Sequence, residues 1–362
     1  MITRSIGIEL DINEHAANEI YMNEHDFAKT NNGDLNSILE HIYSINGISP
    51  LSMTWELTAD CNFKCPFCYI HNIADEQKKS FQYSFNDIRK ELDVLIDRGL
   101  LICYLTGGEC LMHPDFIDIY TYLKKKGVLV AVLTNAALLS KKHLDVFTEY
   151  PPYKVEVSIY GTESTYSKQN PSGCASKVLS NVLTLKKMGI NVIAKMPYNK
   201  CTEIEFDHVR DWCETNAVDF YFSDELFDSY DGRDNTEYRE LISRTDTTGG
   251  STVQVSGKRE YKKVFDCSAG KHSFVLAYNG KMRPCFAFYE MKAPEWCFDI
   301  RMDGLVGAYD KMRSKIASVA GNKLMYCNGC VNCISCQECI ATLSCAENPQ
   351  RHMAEHCVCY KM

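Results

Sequence analysis

Three cysteines, Cys61, Cys65 and Cys68, stand at C-x3-C-x2-C spacing within the segment TADCNFKCPFCY. That spacing sets three thiolates on one short loop. A structural zinc site takes four protein ligands, commonly from paired C-x2-C units. Three thiolates on a tight loop suit instead a [4Fe–4S] cluster with one iron left open, and an open iron can bind and reduce a small molecule. The chain holds nineteen cysteines in 362 residues, and eight of them crowd between positions 327 and 359. An odd, clustered set fits poorly with a disulfide framework. The first ten residues include Glu9 and no apolar core, so no secretory signal is read and a reducing cytoplasmic setting is expected. Clustered thiols in such a compartment mean metal. No apolar run is long enough to span a membrane. The net charge of −8, without a Lys/Arg-rich stripe, argues against nucleic acid as the partner.

The loop has to be carried by something rigid. From residue 51 short apolar runs recur at 51–58, 100–106, 128–134, 154–159, 191–196 and 219–223. Between them lie helix-like stretches at 86–98, 114–126, 141–150, 175–188 and 203–215. Strands alternating with helices predict βα units and a parallel sheet. Six units are too few to close an eight-fold barrel, so residues 51–230 are expected to form an open, partial (β/α)6 TIM-type barrel with its chemistry at the C-terminal strand ends. The cysteine loop directly follows the first strand, which puts it at that mouth. Residues 1–50 carry eight acidic residues against Arg4 and Lys29 and read as a short extension able to dock a peptide. Residues 231–265 are polar and rich in Gly, Thr and Asp, and read as a linker. Residues 266–362 have little helical period and most of the other cysteines, so bound metal is expected to order them.

The C-x3-C-x2-C loop, with Phe67 just before its third cysteine, resembles the radical S-adenosylmethionine (SAM) superfamily. The resemblance implies that the open iron chelates SAM and that one electron cleaves it to a 5′-deoxyadenosyl radical, which abstracts hydrogen from substrate. Further motifs match at strand ends. LTGGEC at 105–110 resembles the GGE motif, with Cys110 in place of the usual proline. Gly107 and Gly108 would let the backbone approach SAM, and Glu109 would accept from its ammonium group. LTNA at 133–136 resembles the TNG ending of the third strand, and VSIYG at 157–161 the end of the fourth. Asn135, Ser158 and Lys195 are then polar residues at one mouth, with Ser158 favoured as a SAM contact.

Cys267, twelve residues, Gly280, four residues and Cys285 resemble the opening of a SPASM domain, the auxiliary-cluster extension of peptide-modifying radical SAM enzymes. Between these cysteines a hairpin is predicted, turning at Asn279-Gly280. Cys327-x2-Cys330-x5-Cys336-x2-Cys339 and a later Cys357 follow, with a third gap of two where the family has three. The resemblance implies one [4Fe–4S] cluster on Cys327, Cys330, Cys336 and Cys357, and another on Cys267, Cys285 and Cys339. Cys297, or an open site for substrate, would complete the second. Cys333, Cys345 and Cys359 are surplus, and a register starting at Cys336 stays open.

The family reading implies a maturase that modifies a ribosomally made precursor peptide by a thioether or C–C crosslink, or by epimerisation. It would draw electrons from a flavodoxin or ferredoxin. Cys110 is the candidate hydrogen donor for epimerisation, while Cys103, Cys174, Cys201 and Cys213 read as free thiols. An anaerobic sulfatase-maturating enzyme, forming formylglycine, is the first alternative. A non-catalytic iron–sulfur electron-transfer protein is the second.

Overall fold

Runs of Val, Ile, Leu and aromatic residues form six strands: β1 (Ser52–Glu56), β2 (Ile102–Thr106), β3 (Leu129–Thr134), β4 (Lys154–Ser158), β5 (Val192–Pro197) and β6 (Asp219–Ser223). Five helices alternate with them: α1 (Phe85–Asp97), α2 (Phe116–Lys125), α3 (Lys141–Glu149), α4 (Ala175–Lys187) and α5 (Phe206–Thr215). The structure is a computed structural model, and it describes residues 50–70, 85–161, 166, 174–223, 226, 235–239, 268–290 and 294–326. The six strands are all parallel, each beside its sequence neighbour. The result is an open partial barrel, as the alternating pattern predicts.

Period-two alternation divides the sheet into two faces. Met53, Cys103, Val130, Val132, Val155, Val157 and Ala194 are buried on the helix side. They share one core with Ile88, Leu92 and Leu95 of α1 and Val178, Val182 and Leu185 of α4. Full burial of each large aliphatic side chain contributes about 1.5–3 kcal/mol. By the strand register, the concave face carries Thr54, Glu56, Tyr104, Lys154, Glu156, Ser158, Lys195 and Tyr221. A helix-covered back and a polar front give the barrel mouth its polar lining.

The sheet does not stop at β1. Strand β7 (Ser273–Leu276) pairs parallel to β1, and β8 (Lys281–Arg283) and β9 (Phe298–Asp299) follow antiparallel. The hairpin expected to open a separate C-terminal unit therefore extends the barrel sheet. Its loop has three residues, not two. Ala277 and Lys281 close it, Gly280 N–H donates to the Ala277 carbonyl at 2.9 Å, and Gly280 sits at φ 74°. That is a turn ending in a left-handed glycine.

Helix α6 (Ile300–Tyr326) returns to pack on α1. It breaks at Gly304, φ 70°, where a Cβ would stand 2.5 Å from Glu91 Oε2. The same carboxylate accepts from Val306 N–H at 3.0 Å, satisfying a donor of the restarted helix. Gly307 lies within this helix, and a Cβ there would meet only Asp303 Cβ, at 3.7 Å. Gly307→Ala is therefore expected to stabilise the protein by about 0.5–1 kcal/mol, read as a higher midpoint in urea denaturation.

Residues 235–239, expected within a linker, include the helical turn Thr236–Arg239. The Asn235 side chain donates to the Phe67 carbonyl at 3.1 Å, so this stretch supports the cysteine loop. The expected extension over 1–49, Cys267, and Cys327, Cys330, Cys336, Cys339 and Cys357 lie outside the described residues. Among the described residues no helix is long and apolar enough to cross a membrane.

Candidate metal centre

Beyond Glu56 the chain crosses the C-terminal end of the sheet and makes the cysteine loop. Apolar anchors hold it down: Phe63, Phe67 and Ile70 are all buried. Cys65 is buried, and Cys61 and Cys68 are partly exposed. Cys68 N–H donates to the Cys65 carbonyl at 3.2 Å, and Phe63 N–H to Cys61 Sγ at 3.3 Å. Burial pushes the Cys61 thiol up to about 12, against the lowering effect of the Phe63 N–H. A thiol in that position is held as thiolate by a bound cation, not by the protein alone.

The two glycines after β2 close-pack against the start of this loop. Gly108 N–H donates to the Thr58 carbonyl at 2.7 Å, and Glu109 N–H to the Asp60 carbonyl at 2.8 Å. A Cβ on Gly108 would stand 2.3 Å from the Asp60 oxygen. One on Gly107, at φ +136°, would stand 2.4 Å from the Thr58 oxygen. The backbone that needs room here is the loop itself.

The Glu109 side chain ties the ends of β2 and β3 together. It is fully buried. Its Oε1 accepts from Thr134 Oγ1 at 2.6 Å and Leu111 N–H at 3.1 Å, and its Oε2 from Asn135 N–H at 2.7 Å. Burial raises its pKa and these donors oppose the rise. Both oxygens thus have protein donors before any ligand ammonium arrives. The Asn135 side chain then donates to Asn62 Oδ1 at 2.8 Å and approaches Cys61 Sγ at 3.8 Å. Ala136 occupies the position of the TNG glycine and keeps a left-handed φ of 58°. Its N–H donates to Thr134 Oγ1 at 2.9 Å, and its carbonyl accepts from Asn181 Nδ2 at 2.7 Å, which hold the turn without glycine.

No three potential ligands converge closely enough, among the described residues, to hold a single metal ion. A cluster asks for something different, since each thiolate binds its own iron. The Tyr166 hydroxyl is buried and has no hydrogen-bond partner among the described residues, yet Cys65 and Cys61 are near enough to oppose its ionisation. An orphaned donor beside two of three loop thiols fits a bound sulfur-rich group.

Residues 55–212 match the family model described as the radical SAM superfamily. This chain carries a radical SAM domain. It is 28% identical over 253 residues to the antilisterial bacteriocin subtilosin biosynthesis protein AlbA of Bacillus subtilis, covering 66% of this chain and 55% of that one. It is 27% identical over 116 residues to a PqqA peptide cyclase of Rhodopseudomonas palustris, covering 32% of this chain and 30% of that one. The chain thus spans about half the length of the first relative and less of the second. The crystal structure of Streptococcus suis SuiB bound to S-adenosylmethionine shares the fold, with TM-score 0.60 and 16% identity over 92% of this chain and 86% of that one.

Within the radical SAM domain the other expected residues are placed as follows. Ser158 ends β4, two residues before Tyr160. Lys195, the register partner of Ser158 on β5, pairs with Glu156 at 2.5 Å, and Lys154 pairs with the same carboxylate at 3.1 Å. The Phe67 ring packs edge-on against Tyr160 and Tyr238, with centroids 5.7 and 6.3 Å away, so it anchors the loop. Cys110, expected as a hydrogen donor at the mouth, is fully buried, and its thiol donates to the Leu133 carbonyl at 3.3 Å. Beyond the radical SAM motifs, Cys285 packs beside a small core of Ala269, Phe288, Trp296 and Ile316. Cys297 N–H donates to the Pro294 carbonyl at 3.0 Å in the turn before β9, and both thiols are partly exposed.

Four participants escaped the motif reading: Asn62, Thr134, Tyr160 and Glu56. Asn62, Thr134 and Tyr160 lie inside the quoted segments, so their motif positions were the available signal. Glu56 accepts from the Tyr69 hydroxyl at 3.0 Å and links β1 to the far end of the loop. Nothing local marks that partnership.

Proposed function

We propose that Cys61, Cys65 and Cys68 hold a [4Fe–4S] cluster, that SAM binds beside it, and that the enzyme modifies a ribosomally made precursor peptide. When bound, cluster and SAM supply one-electron cleavage of SAM and hydrogen abstraction from the substrate. The residues of the chain bind, orient and shield. Gly107 and Gly108 seat the cluster loop, while Glu109, Thr134 and Asn135 fix the neighbouring strand ends. Ser158 and the Lys195–Glu156 pair offer polar contacts on the concave face. The observation that carries the reading is the three-thiol loop docked over the C-terminal ends of an open parallel barrel. An open barrel leaves room at its mouth for a substrate as bulky as a peptide. The roles of the relatives, bacteriocin biosynthesis and peptide cyclisation, support that substrate class.

An electron donor such as a flavodoxin or ferredoxin, in a reducing cytoplasm, fits the thiol-rich composition. The partly exposed Cys285 and Cys297 are available to an auxiliary cluster completed by C-terminal cysteines. The test is anaerobic incubation of reconstituted protein with SAM, a reductant and peptides encoded beside its gene. Formation of 5′-deoxyadenosine together with a mass change of one peptide is the expected result. SAM cleavage without a change in any peptide would remove the peptide substrate. No SAM cleavage would favour a non-catalytic electron-transfer role.

A further inference from the structure

Two tyrosine hydroxyls converge on the inner side of the cysteine loop, and the chemistry proposed above uses neither. Tyr160 lies just beyond β4, its ring edge-on to Phe67 of the loop with centroids 5.7 Å apart, and its ionisation is opposed by burial and by Cys65 beside it. Tyr166 is 1% exposed. Its ring stands edge-on to Phe63, centroids 5.8 Å apart, and tilted against Tyr160, also at 5.8 Å. These ring contacts hold the Tyr166 ring against the loop. Burial opposes ionisation of that oxygen first, then Cys65, Cys174, Cys61 and Glu109, which sets it among the loop thiols and the Glu109 carboxylate.

A buried hydroxyl with no partner costs about 1–3 kcal/mol. Phenylalanine would fill the same space without that cost, so packing alone does not account for a tyrosine at position 166. The geometry points to a sulfur acceptor. We propose that Tyr160 and Tyr166 are paired phenol donors to the sulfurs of the cluster held by Cys61, Cys65 and Cys68. Tyr160 donates to the Cys65 thiolate, and Tyr166 to the sulfur face between Cys61 and Cys65. This rests on the cluster proposed above.

The consequence is electrostatic. Reduction adds negative charge to the cluster, and donors to its sulfurs stabilise that charge more in the reduced state than in the oxidised one. Two phenols therefore raise the reduction potential of the centre and make it accessible to a weaker donor. They act on the potential and take no part in bond making or breaking.

The experiment is an anaerobic redox titration of reconstituted holoprotein, followed by electron paramagnetic resonance without SAM. The relevant signal is the one absent from a variant with Cys61, Cys65 and Cys68 changed to Ala. Tyr160→Phe and Tyr166→Phe are each expected to lower its midpoint so that the ratio of reduced to oxidised cluster at fixed potential falls about tenfold, which is about 59 mV for one electron. Iron per chain should be unchanged, and Tyr122→Phe, on the helix side of the sheet, should leave the midpoint where it is. An unmoved midpoint in both tyrosine variants overturns the inference, as does a shift that appears only after SAM is added. Loss of iron in both variants also overturns it, by making the hydroxyls a requirement for assembly. If no signal depends on the three cysteines, the cluster reading itself fails, and that failure is distinct from an unmoved midpoint.

Discussion

Changing Cys61, Cys65 and Cys68 together to Ala is expected to remove about four irons per chain from anaerobically reconstituted protein and to reduce SAM cleavage to background. The three thiols sit on one loop, which makes the Cys68-to-Cys65 turn, the Phe63 contact to Cys61 and a bond from Asp60 N–H to Thr58 Oγ1. With burial pushing Cys61 up to about 12, binding has to displace protons. If the C-terminal cysteines hold two further clusters, the native protein carries about twelve irons and the variant about eight. Iron and sulfide analysis beside chromatography of 5′-deoxyadenosine reads both effects. The fold should survive, because Cys65 is one small member of a large core and Cys61 and Cys68 only pack against that core. Native iron of about four, all lost in the variant, would leave the SAM cluster and remove the auxiliary ones. Zinc in place of iron would overturn the centre as a whole.

Gly108→Ala should be nearly as damaging although it changes no ligand. Its Cβ would meet the Asp60 and Ala59 carbonyl oxygens at 2.3 and 2.6 Å. These are backbone atoms with no flexible end to swing aside, so the loop has to lift from β2. Lifting it strains the packing by about 1–3 kcal/mol. It also weakens the bonds from Gly108 and Glu109 N–H to the loop carbonyls, each with a net contribution of about 0.5–1.5 kcal/mol. A loss of about 3 kcal/mol is expected, with reduced iron loading because Cys61 moves with Asp60. Gly189→Ala is the comparison. Its φ is +76° with nothing within 4 Å of a Cβ, so it should cost about 1–2 kcal/mol from the left-handed backbone alone and leave iron loading intact. Urea midpoints at constant m-value, read beside iron content, separate the two. A Gly108→Ala protein with native midpoint and full iron would mean that the loop is not seated by this contact.

Much of the fold was legible in the residues because it is locally encoded. Apolar runs alternating with helical periods predicted all six parallel strands and the five helices between them, within a few residues. The thiol spacing was legible for the same reason, since C-x3-C-x2-C fixes three ligands on one loop whatever surrounds it. The motifs LTGGEC and LTNA marked the right strand ends. The glycines read as room for a ligand are first room for the loop. Glu109, read as a ligand acceptor, is first the acceptor that joins β2 to β3.

What the tertiary structure alone decided depends on pairings between distant segments. The parallel register of β2 and β3 brings Thr134 and Asn135 onto Glu109, and no window of sequence spans that distance. β7 pairs with β1 from more than two hundred residues away, and its alternation says only that it is a strand, not which edge it joins. Cys110 has the same residue type in either setting. Only the packing between β2 and β3 buries it against the Leu133 carbonyl. The orphaned hydroxyl of Tyr166 is likewise a fact of packing: burial takes away its water, and only the fold puts the loop thiols beside it.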